Sequence, residues 1–315
     1  MHSPPSAHHR AASLALGVGV FGIGWSAILV RWSGVPGMVS AFYRLLFASM
    51  VLLPWYLVRA SRGGSARGPA STALKRAAVF AGVVFAADLA FFNTSIMITS
   101  AANATLLGVN SPVFVAIGAW ALYGDRPNVR FWLGFALALS GVLSIVGTDV
   151  VVHPRLGIGD AFAVAGAVCY GAYLLYVQRA RVGMDTLTFS TWCVCAGAAS
   201  LLPVCLLARQ PVWGFSGRSW ASLIALALAT QIVGHFCVAY ALGHLPVTMS
   251  SVVLLAQAPL TALLAWPLLG ERLRLGQVIG GALVLAGILV VNLTRLAPSQ
   301  ALQAAQRLRQ GRSPS

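Results

Sequence analysis

Ten apolar stretches recur along this chain, and a helix needs about 20 apolar residues to cross a bilayer. They run over 11–30, 37–58, 77–98, 101–122, 129–147, 158–177, 186–207, 219–242, 247–268 and 274–293. Inside hydrocarbon a backbone must satisfy its own N–H and C=O groups, which directs each stretch to a helix. Composition narrows the choice further. Charged residues make up 9% of the 315 and apolar ones 58%, whereas soluble domains carry about 25% charge. So few charges do not cover a soluble surface, and so much apolar area does not stay unfolded. The gaps between stretches leave no room for a soluble catalytic domain. The first stretch follows Arg10; it exceeds the apolar core of a signal peptide, about 7–15 residues, and reads as an uncleaved anchor. The expected fold class is an all-α polytopic membrane protein with ten transmembrane helices.

The net charge is +15, but the basic residues fall in short gaps between apolar runs, so a nucleic-acid partner is not expected. Their placement sets the orientation instead. On the side that holds both ends lie Arg10, the Arg59–Arg76 group with Lys75, Arg126, Arg130, Arg179, Arg181, Arg272, Arg274 and the four arginines after 294, sixteen in all. The other side holds Arg31, Arg155, Arg209 and Arg218, four. Both ends are therefore expected in the cytoplasm. Cys169, Cys193, Cys195, Cys205 and Cys237 all lie within apolar stretches. Cys193 and Cys195, two apart on a helix, diverge too far for a zinc site. No metal or cofactor is expected.

The two halves repeat one pattern. Ala104–Val146 aligns with Ser251–Asn292: Pro112 matches Pro259 at an offset of 147, then Gly124-Asp125-Arg126 matches Gly270-Glu271-Arg272. Gly134 and Gly141 match Gly280 and Gly287, and upstream Pro54 is set against Pro203. The chain divides into a tail at 1–10, a first five-helix repeat at 11–147, a linker at 148–157, a second repeat at 158–293 and a tail at 294–315. Five is odd, so the second copy enters the membrane from the opposite face. Inverted copies pack in two exchangeable ways, the basis of alternating access to a central cavity.

The doubled pattern of a proline, an apolar run, Gly-Asp/Glu-Arg and a Gly-rich final helix resembles the EamA domain of the drug/metabolite transporter superfamily. Trp25 and Tyr43-Arg44 are similar to that family's first half. The resemblance covers 11–293, strongest at the ends of both halves. Asp125 replaces the commoner Glu, and Cys193 stands where a second Arg44 is expected. The resemblance implies ten helices, cytoplasmic termini, a cell membrane location (the inner membrane of a bacterium) and export or exchange of small metabolites, often amino acids.

Ionisable groups within a bilayer are costly and face a cavity or a partner. Three lie in the spans: Arg44, Asp88 and His235. The repeat offset that aligns the prolines also carries Asp88 onto His235, and Asn110 onto Gln257. These four, with Arg44 and Trp25, are the candidate substrate-binding residues, and Asp88 and His235 are candidates for moving protons. The plainer readings stand beside these. Asp88 is equally suited to be a structural counter-ion to Arg44, and Asn110 and Gln257 to bind neighbouring helices. Phe91, Phe92 and Trp120 fit either an aromatic cavity or helix packing. Pro112 and Pro259 each free the carbonyl four residues earlier and are expected to kink their helices. Gly276-Gln277-Val278-Ile279-Gly280 matches a close-packing GxxxG pattern, read as a contact within the chain or as a homodimer face.

The expected function is secondary transport of a small metabolite, with a channel or scaffold as the alternative. No GxxxxGK[ST] loop is present to use a nucleotide. Ser26 lacks a Gly-x-Ser-x-Gly setting, so an intramembrane hydrolase is not expected.

Overall fold

The computed structural model describes residues 7–62, 71–98, 108, 110–124, 127–146, 157–269 and 275–293. Every described element is helical. Seven helical stretches are long and apolar enough to cross a membrane: His9–Ser33, Gly37–Ser61, Thr72–Ser95, Ala161–Arg181, Thr186–Leu207, Gly217–Leu242 and Val247–Leu268. Three further apolar helices are shorter, Ser111–Tyr123, Val129–Ser144 and Val278–Val291. The first part of the stretch expected at 101–122, both Gly-Asp/Glu-Arg motifs and the 148–157 linker extend outside the described residues.

The first stretch is broken. α1 (Ala7–Gly24) and α2 (Ser26–Ser33) meet at Trp25. The Thr261 hydroxyl donates to the Gly24 carbonyl at 2.9 Å, satisfying a group the break would leave bare. α2 ends at Gly34, whose φ of +60° suits a residue without a Cβ. α3 (Gly37–Ser61) and α8 (Thr186–Leu207) each contain a proline, Pro54 and Pro203. α4 is Thr72–Ile98, α5 Ser111–Tyr123, α6 Val129–Val146 and α7 Ile158–Arg181. The eighth stretch begins as α9 (Gly217–Leu226), widens into nine residues of π-helix at Ala227–His235, and resumes as α10 (Phe236–Leu242).

The ninth stretch is also divided, into α11 (Val247–Val253), a tight turn at Leu254–Ala256 and α12 (Gln257–Leu269). Pro259 sits in the first turn of α12, just past that divide, and Pro112 in the first turn of α5. A proline there replaces no intrahelical bond. The expected kink at Pro259 thus takes the form of a divided helix. α13 (Leu275–Leu293) is the last helix.

Contacts between the halves follow an exchange pattern. α1 packs on the π-helix and α10, while α7 packs on α4; α3 packs on α8, and α6 on α13. The first helix of each half thus meets the third stretch of the other, the second meets the second, and the last meets the last. α3 and α8 run antiparallel: Tyr43 donates to the Val212 carbonyl at 2.5 Å at one end, and Arg59 bonds Asp185 at 3.2 Å at the other. α6 and α13 also run antiparallel at very close range. A Cβ on Gly134 would lie 2.7 Å from the Gly287 carbonyl oxygen, and one on Gly141 2.6 Å from the Val284 amide.

The Gly280 side of α13 is therefore occupied by α6 of the same chain, which is how the GxxxG motif is used. The opposite face of α13 carries exposed Leu275, Val278, Ile279, Leu285 and Leu289. Any dimer through the last helix would have to use that face. Many exposed large apolar side chains, such as Leu14 at 72% and Leu133 at 61%, fit a surface solvated by lipid chains.

Candidate functional site

Arg44 leaves α3 toward the second half and is 4% exposed. Its Nε donates to Gln231 Oε1 at 3.1 Å, and one terminal nitrogen reaches Ser26 Oγ at 3.4 Å. The other lies 3.0 Å from His235 Nδ1. The guanidinium also stands 5.7 Å from the Phe85 ring centroid, a cation–π distance. One cation thus gathers Ser26 and Phe85 from the first half and Gln231 and His235 from the second.

Local structure explains why these side chains converge. Trp25 interrupts the first stretch immediately before Ser26, so Ser26 opens a new helix beside Arg44. A Cβ on Gly22 would lie 2.6 Å from the Ala229 carbonyl oxygen, so α1 sits directly on the π-helix. π-helical turns often mark functional sites. Here the wider turn holds Gln231 and His235, four residues apart, on one cation. His235 is walled by aromatic rings, with centroids at 4.8 Å for Phe85, 6.2 Å for Tyr173 and 6.5 Å for Tyr170.

Asp88 is half-buried on α4, beside Gly166 of α7, where an added Cβ would come 3.5 Å from its Oδ1. It lies within electrostatic reach of Arg44, Tyr170 and Tyr173. The Arg44–Asp88 ion pair, the structural alternative to a substrate or proton role, is not formed. Among the described residues Asp88 makes neither an ion pair nor a hydrogen bond, while the guanidinium bonds Gln231, Ser26 and His235. Asp88 and His235 do not meet each other either; they share Arg44 as a neighbour.

The remaining candidates stand apart from this cluster. Trp25 lies at the break, half-buried and edge-on to Phe21 at 6.4 Å. Asn110 precedes α5 and gives its backbone carbonyl to the Val113 amide at 3.0 Å. Gln257 opens α12, and its side chain bonds no described residue. Neither Asn110 nor Gln257 is bonded to Arg44, Asp88 or His235. Phe91 stacks on Phe162 at 5.7 Å, and Trp120 faces outward at 53% exposure, so both pack or face lipid instead of lining the cluster. Gln231, Tyr170 and Tyr173 join the cluster without having been singled out by the sequence, and Ser26, not expected to be a nucleophile, joins it as a hydrogen-bond partner of Arg44. Gln231 carried a usable signal, a polar side chain within an apolar span one turn before His235.

Packed contacts lie at both ends of the α3/α8 pair. Tyr43, adjacent to Arg44, is 3% exposed and packs against Trp220 at 4.9 Å, Phe215 at 6.4 Å and Trp213 at 6.5 Å. At the far end the buried Arg181 donates to the Ala239 carbonyl at 2.9 Å and to that of Met184, and Gln178 donates to Leu245 at 3.4 Å. Arg59 on α3 bonds Asp185 at that same end. Among the described residues no group of three His, Cys, Asp or Glu side chains is placed to hold a metal.

A bundle of apolar helices, seven of them long and apolar enough to cross a membrane, is a polytopic membrane protein, and a buried polar cluster lies between its halves. The chain belongs to the EamA-like transporter family, whose model matches residues 9–147 and again residues 157–293. An "Uncharacterized transporter" of Archaeoglobus fulgidus is 28% identical over 85% of this chain and 91% of its own. A "Probable terminal-alkyne amino-acid exporter" of Streptantibioticus cattleyicolor is 30% identical over 61% of this chain and 64% of its own. A solved crystal structure shares the fold, with a TM-score of 0.75 and 19% identity over 95% of this chain and 99% of that one. The protein is a multi-pass membrane transporter, not an enzyme.

Proposed function

We propose that the chain is a secondary transporter that exports or exchanges small metabolites such as amino acids by alternating access, with the Arg44 cluster as its central site. The observation that carries the reading is that one buried cation is held by side chains from both halves. A relative movement of the halves must therefore remake the site. In this reading ten helices cross the membrane as two inverted five-helix repeats, and the shorter helices complete the set. The antiparallel α3/α8 and α6/α13 pairs support it. So does the exchange of contacts between the halves, because Gly134 with Gly287 and Gly141 with Gly280 interchange under the repeat. Both termini face the cytoplasm, by the sixteen-to-four division of basic residues, and the membrane is the inner membrane of a bacterium. The amino-acid exporter among the relatives supports the substrate class.

Asp88 is the half-buried carboxylate available to a substrate ammonium or a proton, while Arg44 offers donors to a carboxylate. Phe85, Tyr170 and Tyr173 supply apolar walls. The test is counterflow in proteoliposomes holding the full chain, with a panel of labelled amino acids and their amides. A transporter accumulates label against a preloaded unlabelled pool and saturates. Label that equilibrates without accumulation or saturation would mean a pore and end the proposal. Asp88→Asn is expected to leave insertion intact and slow exchange at least about tenfold, about 1.4 kcal/mol, and to flatten its pH dependence.

A further inference from the structure

His235 Nδ1 has two neighbours at bonding distance, and they make opposite demands. Arg44 Nη2 stands 3.0 Å away and the Thr230 carbonyl oxygen 2.9 Å away. A guanidinium only donates and a carbonyl only accepts. A single ring nitrogen in a neutral imidazole either carries a lone pair or a proton. Only one of the two contacts is therefore a hydrogen bond at any moment. Nδ1 bonds Arg44 when the ring proton is on Nε2, and bonds Thr230 when the proton is on Nδ1.

Charge decides between them while Arg44 is in place. Hydrogen bonds with an ionised partner are roughly twice as strong as neutral ones. A proton on Nδ1 would moreover point near a guanidinium nitrogen. The groups facing the ring from its neighbours are Arg44 on α3, Phe85 on α4, and Tyr170 and Tyr173 on α7; Asp88 of α4 lies near Arg44 and the two tyrosines, not the ring, and Cys193 of α8 lies beside Tyr173. α1 contributes Gly22 and Ile23, which cannot titrate.

We infer that neutral His235 is the positioning residue for Arg44: its Nδ1 lone pair holds the guanidinium in the closed site, in the place an oxyanion of the substrate would take. This rests on the transport reading. A group that displaces His235 must accept N–H donors, which selects a carboxylate or another oxyanion over an amine or an alkyl group. When Arg44 turns to it, the Thr230 carbonyl becomes the ring's partner. The ring then loses its Nε2 proton to water and takes one from water at Nδ1, with no change in charge. The Thr230 carbonyl thus keeps the imidazole parked, so that Arg44 can return to it after release.

The test reads the tautomer directly and needs no substrate. The full chain, labelled with ¹⁵N-histidine, is placed in lipid nanodiscs above neutral pH, and the His235 signals are assigned by their loss in His235→Asn. In the wild type Nε2 is expected to be protonated and Nδ1 bare. In Arg44→Met the assignment should reverse, with Nδ1 protonated on the Thr230 carbonyl. Arg44→Gln, which keeps a polar side chain for insertion, should give the same reversal. A wild-type ring that already carries its proton on Nδ1 overturns the inference without any variant. An unchanged tautomer after loss of the guanidinium overturns it as well.

The substrate class is read in the counterflow panel. Transport confined to compounds with a carboxylate supports the displacement step, and transport of the matching amides at equal rates overturns it. Because the spectrum contains no transport step, absence of counterflow would refute the transport reading and leave the tautomer result to stand or fall by itself.

Discussion

A buried arginine is stable only while its donors have acceptors, and Arg44 finds them in Gln231, His235 and Ser26. Truncating one partner leaves a charged donor buried and unmet, at about 1–3 kcal/mol. Gln231→Ala is expected to lower the thermal unfolding midpoint of the detergent-solubilised protein by that order of free energy. Arg44→Ala should also destabilise the fold, because it leaves the Gln231 side-chain oxygen without its donor. A wild-type midpoint in Gln231→Ala would show that the Arg44–Gln231 bond contributes nothing. Asp88 is of a different kind: it is not held by any described side chain, and it is accordingly the residue whose removal should affect transport more than folding.

At the scale of elements, helix starts and helix crossings carry the sharpest expectations. Asp185 caps α8, accepting from the Thr188 amide at 3.2 Å and its hydroxyl at 2.6 Å while it pairs with Arg59. Burial pushes its carboxyl up, but the Thr188 bonds and the charges of Arg59 and Arg181 outweigh that and bring it below its ordinary value. A lowered folded value means stability that is complete above the unfolded pKa of about 3.9. That stability is lost as pH falls through the folded value. Asp185→Ala should therefore cost about 0.5–2 kcal/mol at neutral pH, and the difference from wild type should shrink as the sample is acidified below that unfolded value. A cost that stays constant with pH would assign the effect to packing. For the crossings, Gly141→Leu forces a side chain into the α6/α13 seam, where the Val284 amide is 2.6 Å from an added Cβ. Overpacking of this kind costs about 1–3 kcal/mol, measured as a lower unfolding midpoint. Leu at the outward Val278 should change nothing.

For the whole molecule, the expectation concerns which end faces which compartment. Reporter fusions at Ala66 and Ser313 should read cytoplasm, and fusions at Val152 and Gln210 the opposite side. Of these only Gln210 is among the described residues. The structure gives that position a second use, because it stands two residues from the Val212 carbonyl that receives Tyr43. Tyr43→Phe removes that bond while keeping the edge-on ring contacts, and should make a cysteine placed at Ser26 react faster with a membrane-impermeant thiol reagent added outside. The comparison is made against the same cysteine in a Tyr43 background. Equal rates would show that this aromatic group does not close the outer end.

Sequence alone determined the solvent, the number of apolar stretches and the kinship of the two halves. Those follow from run length, charge placement and one repeat offset, all of them properties of residues counted along a line. It also singled out Arg44, Asp88 and His235, because a charge in an apolar run is visible without knowing what it faces. Partners were another matter. In a stretch that is apolar all round, no periodicity marks the inward face, so nothing announced that Arg44 would reach Gln231 and His235 and not Asp88. The break at Trp25 and the π-helix at Ala227–His235 lack a proline to signal them. They arise where Gly22 and Gly234 let two backbones meet, a condition set by both helices at once. Only the packed structure could decide which acceptors a buried guanidinium reaches, because that choice depends on distances between segments nearly two hundred residues apart in the chain.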